Sequence, residues 1–280
     1  SQDRTAEIVR SFSDVRLIES SENRGYGAGL NMGVSNARAE LLVLLNPDIT
    51  ISDSRFIEKL VEQFEQDPRL GVVAPIIYGP KGTSLYSAGR LPSFLSEFLT
   101  YSRLFQWVPF GRYSDKHVDW VSGTVFATRR SLWEQVHGMD EHYFLYVEDM
   151  DYCERVHGAG FRIVRDSHLS VLHVQSASTR QNSRQRFFSQ VLFWDTRGVL
   201  YFCSQHRSRT LYAWVKFLAL VWMCLQFLRF TVQSVVDGAA SREQAAFQHA
   251  LPWVWRLSYT NLRKRNFNPK ETPYENPPHQ

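Results

Sequence analysis

The chain is poor in the features that would classify it at once. Its three cysteines, Cys153, Cys203 and Cys224, form no CxxC pair and are too few for a disulfide framework. That excludes a small stapled fold and a cysteine-bound zinc site, and it fits a reducing, cytoplasmic setting. No internal repeat and no low-complexity tract occur, so solenoid and disordered classes are excluded as well. No basic-then-apolar segment opens the chain. Long apolar runs are scarce: "LYAWVKFLALVWMCLQFLRFTV", Leu211 to Val232, is 22 residues long, but Lys216 and Arg229 leave only 12 charge-free residues between them. That is the length of a core or interfacial helix rather than a clear span.

A complete dinucleotide fingerprint is also missing. "NRGYGAGLNMG", Asn23 to Gly33, holds four glycines, yet the sixth position of G-x-G-x-x-G is Leu30 counted from Gly25 and Met32 counted from Gly27. Such glycine density signals either backbone approaching a ligand or a simple tight turn, and the spacing leaves both open.

What is present is core-forming material. With 280 residues, 44% of them hydrophobic, the chain can bury one large domain and carry an appended part. "TAEIVRSF" has helical spacing at Ile8, Val9 and Phe12, and "VRLIES" reads as a strand. A short helix through Ala37 precedes "LLVLL", a strand buried on both faces. "SRFIEKLVEQFEQ" places Phe56, Ile57, Leu60, Val61 and Phe64 on one helical face, with Ser52 or Asp53 as its cap. "LGVVAPIIY" is the next strand, and Gly79 to Phe110 reads as a long loop or lid. "VDWVSGTVFATRR" resumes the strands. "SLWEQVHG" and "EDMDYCERVHG" are helices closed by Gly138 and Gly158, and "FRIVRD" and "LSVLHV" are the last two strands. Strands alternating with helices predict an α/β fold, a mostly parallel sheet with helices on both faces.

Charge divides the chain. Residues 1–195 carry net −3 and residues 196–280 net +7, and the basic part also holds the most apolar stretch. Basic plus apolar-aromatic composition points to a membrane surface and away from nucleic acid.

Three places carry candidate chemistry. Asp48 directly follows the buried strand "LLVLL", at the strand end where open α/β sheets bind ligands. One carboxylate there can serve a divalent cation that bridges phosphates, or Asn46-Pro47-Asp48 can be an Asx turn. Glu148, Asp149 and Asp151 crowd a helix start after Tyr143, Phe144 and Tyr146. They read as dipole-complementing caps or as a pocket wall with a carboxylate suited to general-base work. His173, ending "LSVLHV", is a core histidine or an imidazole metal ligand.

The order of these elements resembles one family: the family 2 inverting glycosyltransferases of the GT-A fold, in particular their rhamnosyltransferase-like branch. Asn23, Gly25, Tyr26, Gly29, Asn31 and Gly33 match its N-x-G-[FY]-x-x-[GA]-x-N-x-G stretch. Leu45-Asn46-Pro47-Asp48 matches the "LNPD" form of its D-x-D metal motif, and "GMDEHYFLYVEDMDYCERVHGAGFRI" matches its longest signature. The resemblance implies a GT-A domain over residues 1–205, while the basic, apolar-aromatic composition predicts a helical, membrane-associating extension over 206–280. It implies Asp149 as the catalytic base, with Asn23, Gly25, Gly29, Asn31, Asn46 and Asp48 around the nucleoside diphosphate sugar. Trp120, Gly123 and Glu148 would stand beside the acceptor and the sugars. Arg155 would anchor the acidic segment, and Asp48 and His173 would hold Mg or Mn. The implied activity is sugar transfer, with rhamnose among the sugars, to a glycan or lipid-linked glycan in cell-surface polysaccharide synthesis. The implied setting is the cytoplasmic face of the inner membrane, peripherally attached without a span. An inactive nucleotide-sugar-binding module is the alternative. The family's first strand and its D-N-x-S-x-D motif are expected before Ser1-Gln2-Asp3, so the sequence reads as truncated at that end.

Overall fold

The computed structural model describes residues 4–93, 118–174, 184–237 and 242–263. Along the chain run α1 (Thr5–Arg10), α2 (Tyr26–Asn36), β1 (Leu41–Leu45), β2 (Ile49–Thr50), α3 (Phe56–Gln66), β3 (Leu70–Tyr78), β4 (Ala88–Gly89), β5 (Trp120–Val121) and β6 (Val125–Arg129). Then come α4 (Arg130–Gln135), α5 (Glu148–Gly158), β7 (Arg162–His173), α6 (Arg184–His206), α7 (Arg209–Asp237), α8 (Arg242–Arg256) and α9 (Tyr259–Arg263).

Five strands form one sheet in the order β1-β6-β3-β7-β2, and β4 with β5 makes a separate ribbon. The long central pair, β3 with β7, is parallel, while β6 runs antiparallel between β1 and β3, and β2 runs antiparallel to β7. The sheet is therefore mixed: β1, β3 and β7 share one direction, and β6 and β2 oppose them. Side chains alternate across the pleat. Leu42, Leu44, Val72, Ala74 and Phe126 face a core completed by α2, α4 and α5. Val73, Ile77, Val125 and Ala127 face the other side, where α3 covers them with Phe56, Leu60 and Phe64. Helices thus lie on both faces, as the alternation of elements predicts.

A third core is helical. Leu200, Phe202, Val215, Met223, Phe247 and Val254 pack together with Tyr143 and Val147, so the C-terminal helices share a core with the loop that precedes α5.

Four local expectations change. "VRLIES" forms no strand, because no neighbouring strand lies beside it among the described residues and a ladder needs a partner. Arg16 within it instead bonds the Asn36 carbonyl and side chain at 3.1 and 3.0 Å. The two strands expected at the end of the sheet are one, β7, which pairs with β3 through a register shift between Pro75 and Ile76. On α3, Ile57 and Val61 are exposed, since only every fourth residue from Phe56 reaches the sheet. Gly160, rather than Gly158, takes the left-handed conformation that ends α5. Most of the lid expected over 79–110 lies outside the described residues; its first part turns back through a Tyr78–Ser84 bridge.

Candidate active site

The glycine stretch is shaped by the loop before α5. Gly25 has φ +99°, and a Cβ there would run into the Phe144 backbone. The Asn23 side chain accepts a hydrogen bond from the Gly25 N–H at 3.1 Å, and the Tyr26 N–H donates to the Phe144 carbonyl at 3.0 Å. This closes the start of α2 onto the segment 143–147. Gly29 and Gly33 meet nothing within 4 Å, so packing does not require glycine at either position. Asn31 uses both ends of its amide on the neighbouring loop, donating to the Met139 carbonyl at 2.9 Å and to Glu141 at 3.1 Å and accepting from the Met139 N–H at 2.9 Å. Its amide clamps that loop, which fits positioning better than direct contact with a ligand.

Tyr26 joins the pieces. Its hydroxyl donates to the Gly123 carbonyl at 2.6 Å, and the Gly123 N–H donates to Asp149 Oδ2 at 2.8 Å. The Tyr26 phenol is pushed above its ordinary range by burial and then by the charges of Glu148, Asp149 and Asp48, so all three carboxylates converge on it. Asn46 brings in the strand end, its N–H donating to the Thr124 carbonyl at 2.9 Å, beside the Ser122–Thr124 hydroxyl pair at 2.8 Å. Three sequence-distant motifs, the glycine stretch, the β1 end and the start of α5, therefore meet around the 122–124 turn.

The three acids of α5 separate by role. Asp151 is buried, accepting from Arg155 Nε at 2.8 Å and facing His206 Nε2 at 2.6 Å, so it ties α5 to its own third turn and to α6. Arg155 also donates to the Val136 and Gly138 carbonyls, an anchoring position for the acidic segment. Glu148 is buried, with Oε2 lacking a partner among the described residues, and burial followed by the Asp149 charge raises its carboxyl well above the usual range. Asp149 is raised by burial, against the opposing pull of hydrogen bonds from the Gly123 and Met150 N–H groups. These two carboxyls form a coupled pair at the mouth of the helix. Just before them Tyr146 and Val147 hold φ of 67° and 72°, a conformation costly for a β-branched residue and typical of functional sites.

Asp48 and His173 meet across β2 and β7: His173 Nε2 lies 3.0 Å from Asp48 Oδ2. Asp48 Oδ1 is buried and has no partner among the described residues. A buried, unsatisfied carboxylate oxygen beside an imidazole suits a divalent cation. Among the described residues no group of three or more His, Cys, Asp or Glu side chains is placed to hold a metal ion, so the pair would leave further positions to substrate oxygens and water. Trp120 sits in the β4–β5 ribbon, its indole N–H donating to the Arg90 carbonyl at 3.2 Å and its ring edge-on to Tyr86.

Residues reached only through the fold are Asp195, Trp194 and Gly198 on α6. Trp194 stacks on Phe144 at 4.8 Å, and Gly198 lies against Tyr146 and Val147. Nothing in their local sequence marks them, because they enter the site by long-range packing.

A family model described as "Glycosyl transferase family 2" matches residues 1–144, just over half of the chain. The N-acetylglucosaminyl-diphospho-decaprenol L-rhamnosyltransferase of Mycobacterium tuberculosis is 29% identical over 196 residues, 61% of this chain and 62% of that protein. The match thus spans less than two thirds of that relative's length. Rhamnosyltransferase WbbL of Escherichia coli is 24% identical over 195 residues, 65% of this chain and 71% of its own. The mannosyltransferase PcManGT of Pyrobaculum calidifontis, solved with GDP-Man and Mn2+, shares the fold at a TM-score of 0.52 and 12% identity, over 95% of this chain and 76% of that one. With its family 2 match, its GT-A fold and the convergence of its motifs on the 122–124 turn, the chain belongs to glycosyl transferase family 2.

Proposed function

We propose that this chain transfers a sugar, with inversion, from a nucleoside diphosphate to a hydroxyl of a lipid-linked glycan. The observation that carries the reading is the meeting of the Glu148–Asp149 segment, through Gly123 and Tyr26, with the same 122–124 turn that Asn46, at the strand end bearing Asp48, also bonds. Asp149 accepts the proton of the acceptor hydroxyl as that oxygen bonds to the anomeric carbon. The bond from the anomeric carbon to the diphosphate oxygen breaks, and the nucleoside diphosphate leaves with the electron pair. Asp48 and His173 would hold the divalent cation, which when bound offsets charge on the diphosphate. Asn23, Gly25, Gly29 and Asn46 line or shape the donor side, Asn31 holds their supporting loop, and Gly123, Glu148 and Trp120 stand on the sugar side. The names of the mycobacterial and Escherichia coli relatives support rhamnose as the sugar, and the mycobacterial name supports a diphospho-polyprenol glycan as the acceptor. The test is transfer from a panel of UDP-, dTDP- and GDP-linked hexoses and deoxyhexoses to N-acetylglucosaminyl-diphospho-decaprenol, with NMR of the product anomer. Transfer with inversion is expected; donor binding without transfer would support an inactive module, and retention would overturn the mechanism.

A membrane surface completes this reading. Among the described residues α7 is the helix long and apolar enough to cross a membrane. Yet one side of it, with Val215, Ala219 and Met223, is packed into the helical core. The other side exposes Phe217, Val221, Leu225, Leu228, Val232 and Val236 at steps of three and four, a stripe of roughly 28 Å. A helix half covered by protein and half apolar fits a lipid interface, laid along it at the cytoplasmic face rather than crossing it. Beside it, Arg207 pairs with Glu154, and Trp253 packs on Phe193 at 3.9 Å. Trp255, 71% exposed, remains beside the stripe. Lys264 and Arg265 lie outside the described residues.

A further inference from the structure

We propose that Asp195 is the acceptor-binding carboxylate of this site: it takes hydrogen bonds from hydroxyls of the acceptor saccharide and so sets which hydroxyl reaches Asp149. The proposal rests on the glycosyl-transfer reading above and deepens it.

The packing of α6 positions this residue. Trp194 stacks on Phe144, Arg197 donates to the His142 carbonyl at 3.2 Å, and a Cβ on Gly198 would lie 2.7 Å from Val147 Cγ2. The face of α6 that carries these contacts is thus pressed onto the loop leading into α5. Asp195 is one turn before Gly198, on the flank of that face. Its carboxyl is ringed closely enough by protein to rise to about 6, through burial and then through the Asp149 charge. Tyr146 in turn is raised by burial and by Asp195. Asp195 therefore lies on the flank of α6 beside the strained segment that leads directly into Glu148 and Asp149.

It is nevertheless open. Asp195 is exposed, and among the described residues it has neither a hydrogen-bond nor an ion-pair partner. A solvent-open carboxylate set beside a catalytic segment, with no donor among the described residues, is placed to take a ligand. Charge says which ligand. A diphosphate would be repelled by Asp195, Asp149 and Glu148 together, whereas Asp48 and His173 offer it a cation. Hydroxyls are the complementary group for the Asp195 side, and one carboxylate can accept from two adjacent hydroxyls of a sugar ring. The site is thereby divided, diphosphate toward β2 and β7, acceptor toward α6.

The test uses the whole chain with N-acetylglucosaminyl-diphospho-decaprenol as acceptor and the sugar nucleotide that the wild type turns over. Asp195→Ala should raise the acceptor KM about tenfold or more, the scale of losing a charge-assisted hydrogen bond. Donor KM and the melting temperature should stay at wild-type values, which also shows that the variant is folded. Asp195→Asn, which keeps one acceptor oxygen, should fall between the two. An unchanged acceptor KM in Asp195→Ala, or an equal rise in its donor KM, would overturn the proposal. Asp149→Asn is measured alongside. If it transfers normally the catalytic reading itself is wrong; if it fails while Asp195→Ala keeps its acceptor KM, only the role of Asp195 falls.

Discussion

Asp149 lives under two opposing influences. Burial raises its carboxyl, whereas two backbone N–H groups, from Gly123 and Met150, each at 2.8 Å, stabilise its ionised form. A carboxylate poised in this way can accept a proton at working pH and release it afterwards. Asp149→Asn should lower turnover about 100-fold or more with nucleotide affinity unchanged, measured by steady-state transfer and calorimetry. The pH dependence has a defined sign. The base works only when ionised, and its raised value means protonation begins at a higher pH than for a free carboxylate. Turnover should therefore fall on acidification well before the ordinary carboxylate range near about 4, with Glu148, Tyr26 and Asp195 the other titratable groups around it. A profile flat down to that range would contradict a buried base. Asp48→Ala and excess chelator should impair the same step without adding to each other. Full activity under chelation would leave the Asp48–His173 contact as a structural pair. The acids of α5 were legible in the sequence as a cluster; that Asp151 turns inward to Arg155 and His206 was not, because His206 is 55 positions away and only α6 brings it there.

At the scale of elements, the junction of α6 with the loop before α5 decides the shape of the site. Gly198 allows the helix to touch Val147 and the Tyr146 carbonyl while both loop residues hold positive φ. Gly198→Ala adds helix propensity of about 1 kcal/mol, but its Cβ would displace that loop. The displacement should dominate, lowering both turnover and melting temperature. A more stable and fully active variant would show that the contact is slack. Gly29 makes the opposite case. It lies within α2 with open space around it, so Gly29→Ala should stabilise the fold by up to about 1 kcal/mol. Donor binding should nonetheless weaken, since the proposed function sets this exposed glycine on the donor side; unchanged affinity would remove Gly29 from that wall. Most elements were readable from periodicity: α3, β1, β3 and α5 lie where their apolar spacing puts them. "VRLIES" was not, because strand formation depends on a neighbour and not on the segment alone.

For the whole molecule, the proposed function gives the exposed stripe on α7 the task of holding the enzyme at a membrane surface. Removing residues 206–280 would expose the core that they share with Tyr143 and Val147, so substitution on the surface is the cleaner probe. Leu225→Asp with Leu228→Asp, both positions more than half exposed, should keep the unfolding free energy within about 1 kcal/mol of wild type while abolishing sedimentation with anionic liposomes. Binding that survives the double change, or that is equal with neutral vesicles in high salt, would favour a spanning helix or another contact. The net +7 of residues 196–280 predicts that salt weakens the wild-type interaction.

The sequence by itself determined the alternation of strands and helices, the apolar faces that build both sides of the sheet, and the motif residues that mark the family. These are local properties, written in spacing and residue type. Tertiary structure decided which of them meet. It joined Tyr26 to Gly123 across 97 positions and Asp48 to His173 across 125. It turned one of three neighbouring acids away from the site, and it pressed Trp194 and Gly198 of α6, a helix whose sequence shows no motif, onto the loop before α5. Such outcomes depend on how α6 packs against a loop some 50 residues earlier, and packing between distant segments is set by the shapes of both surfaces, which neither segment encodes alone.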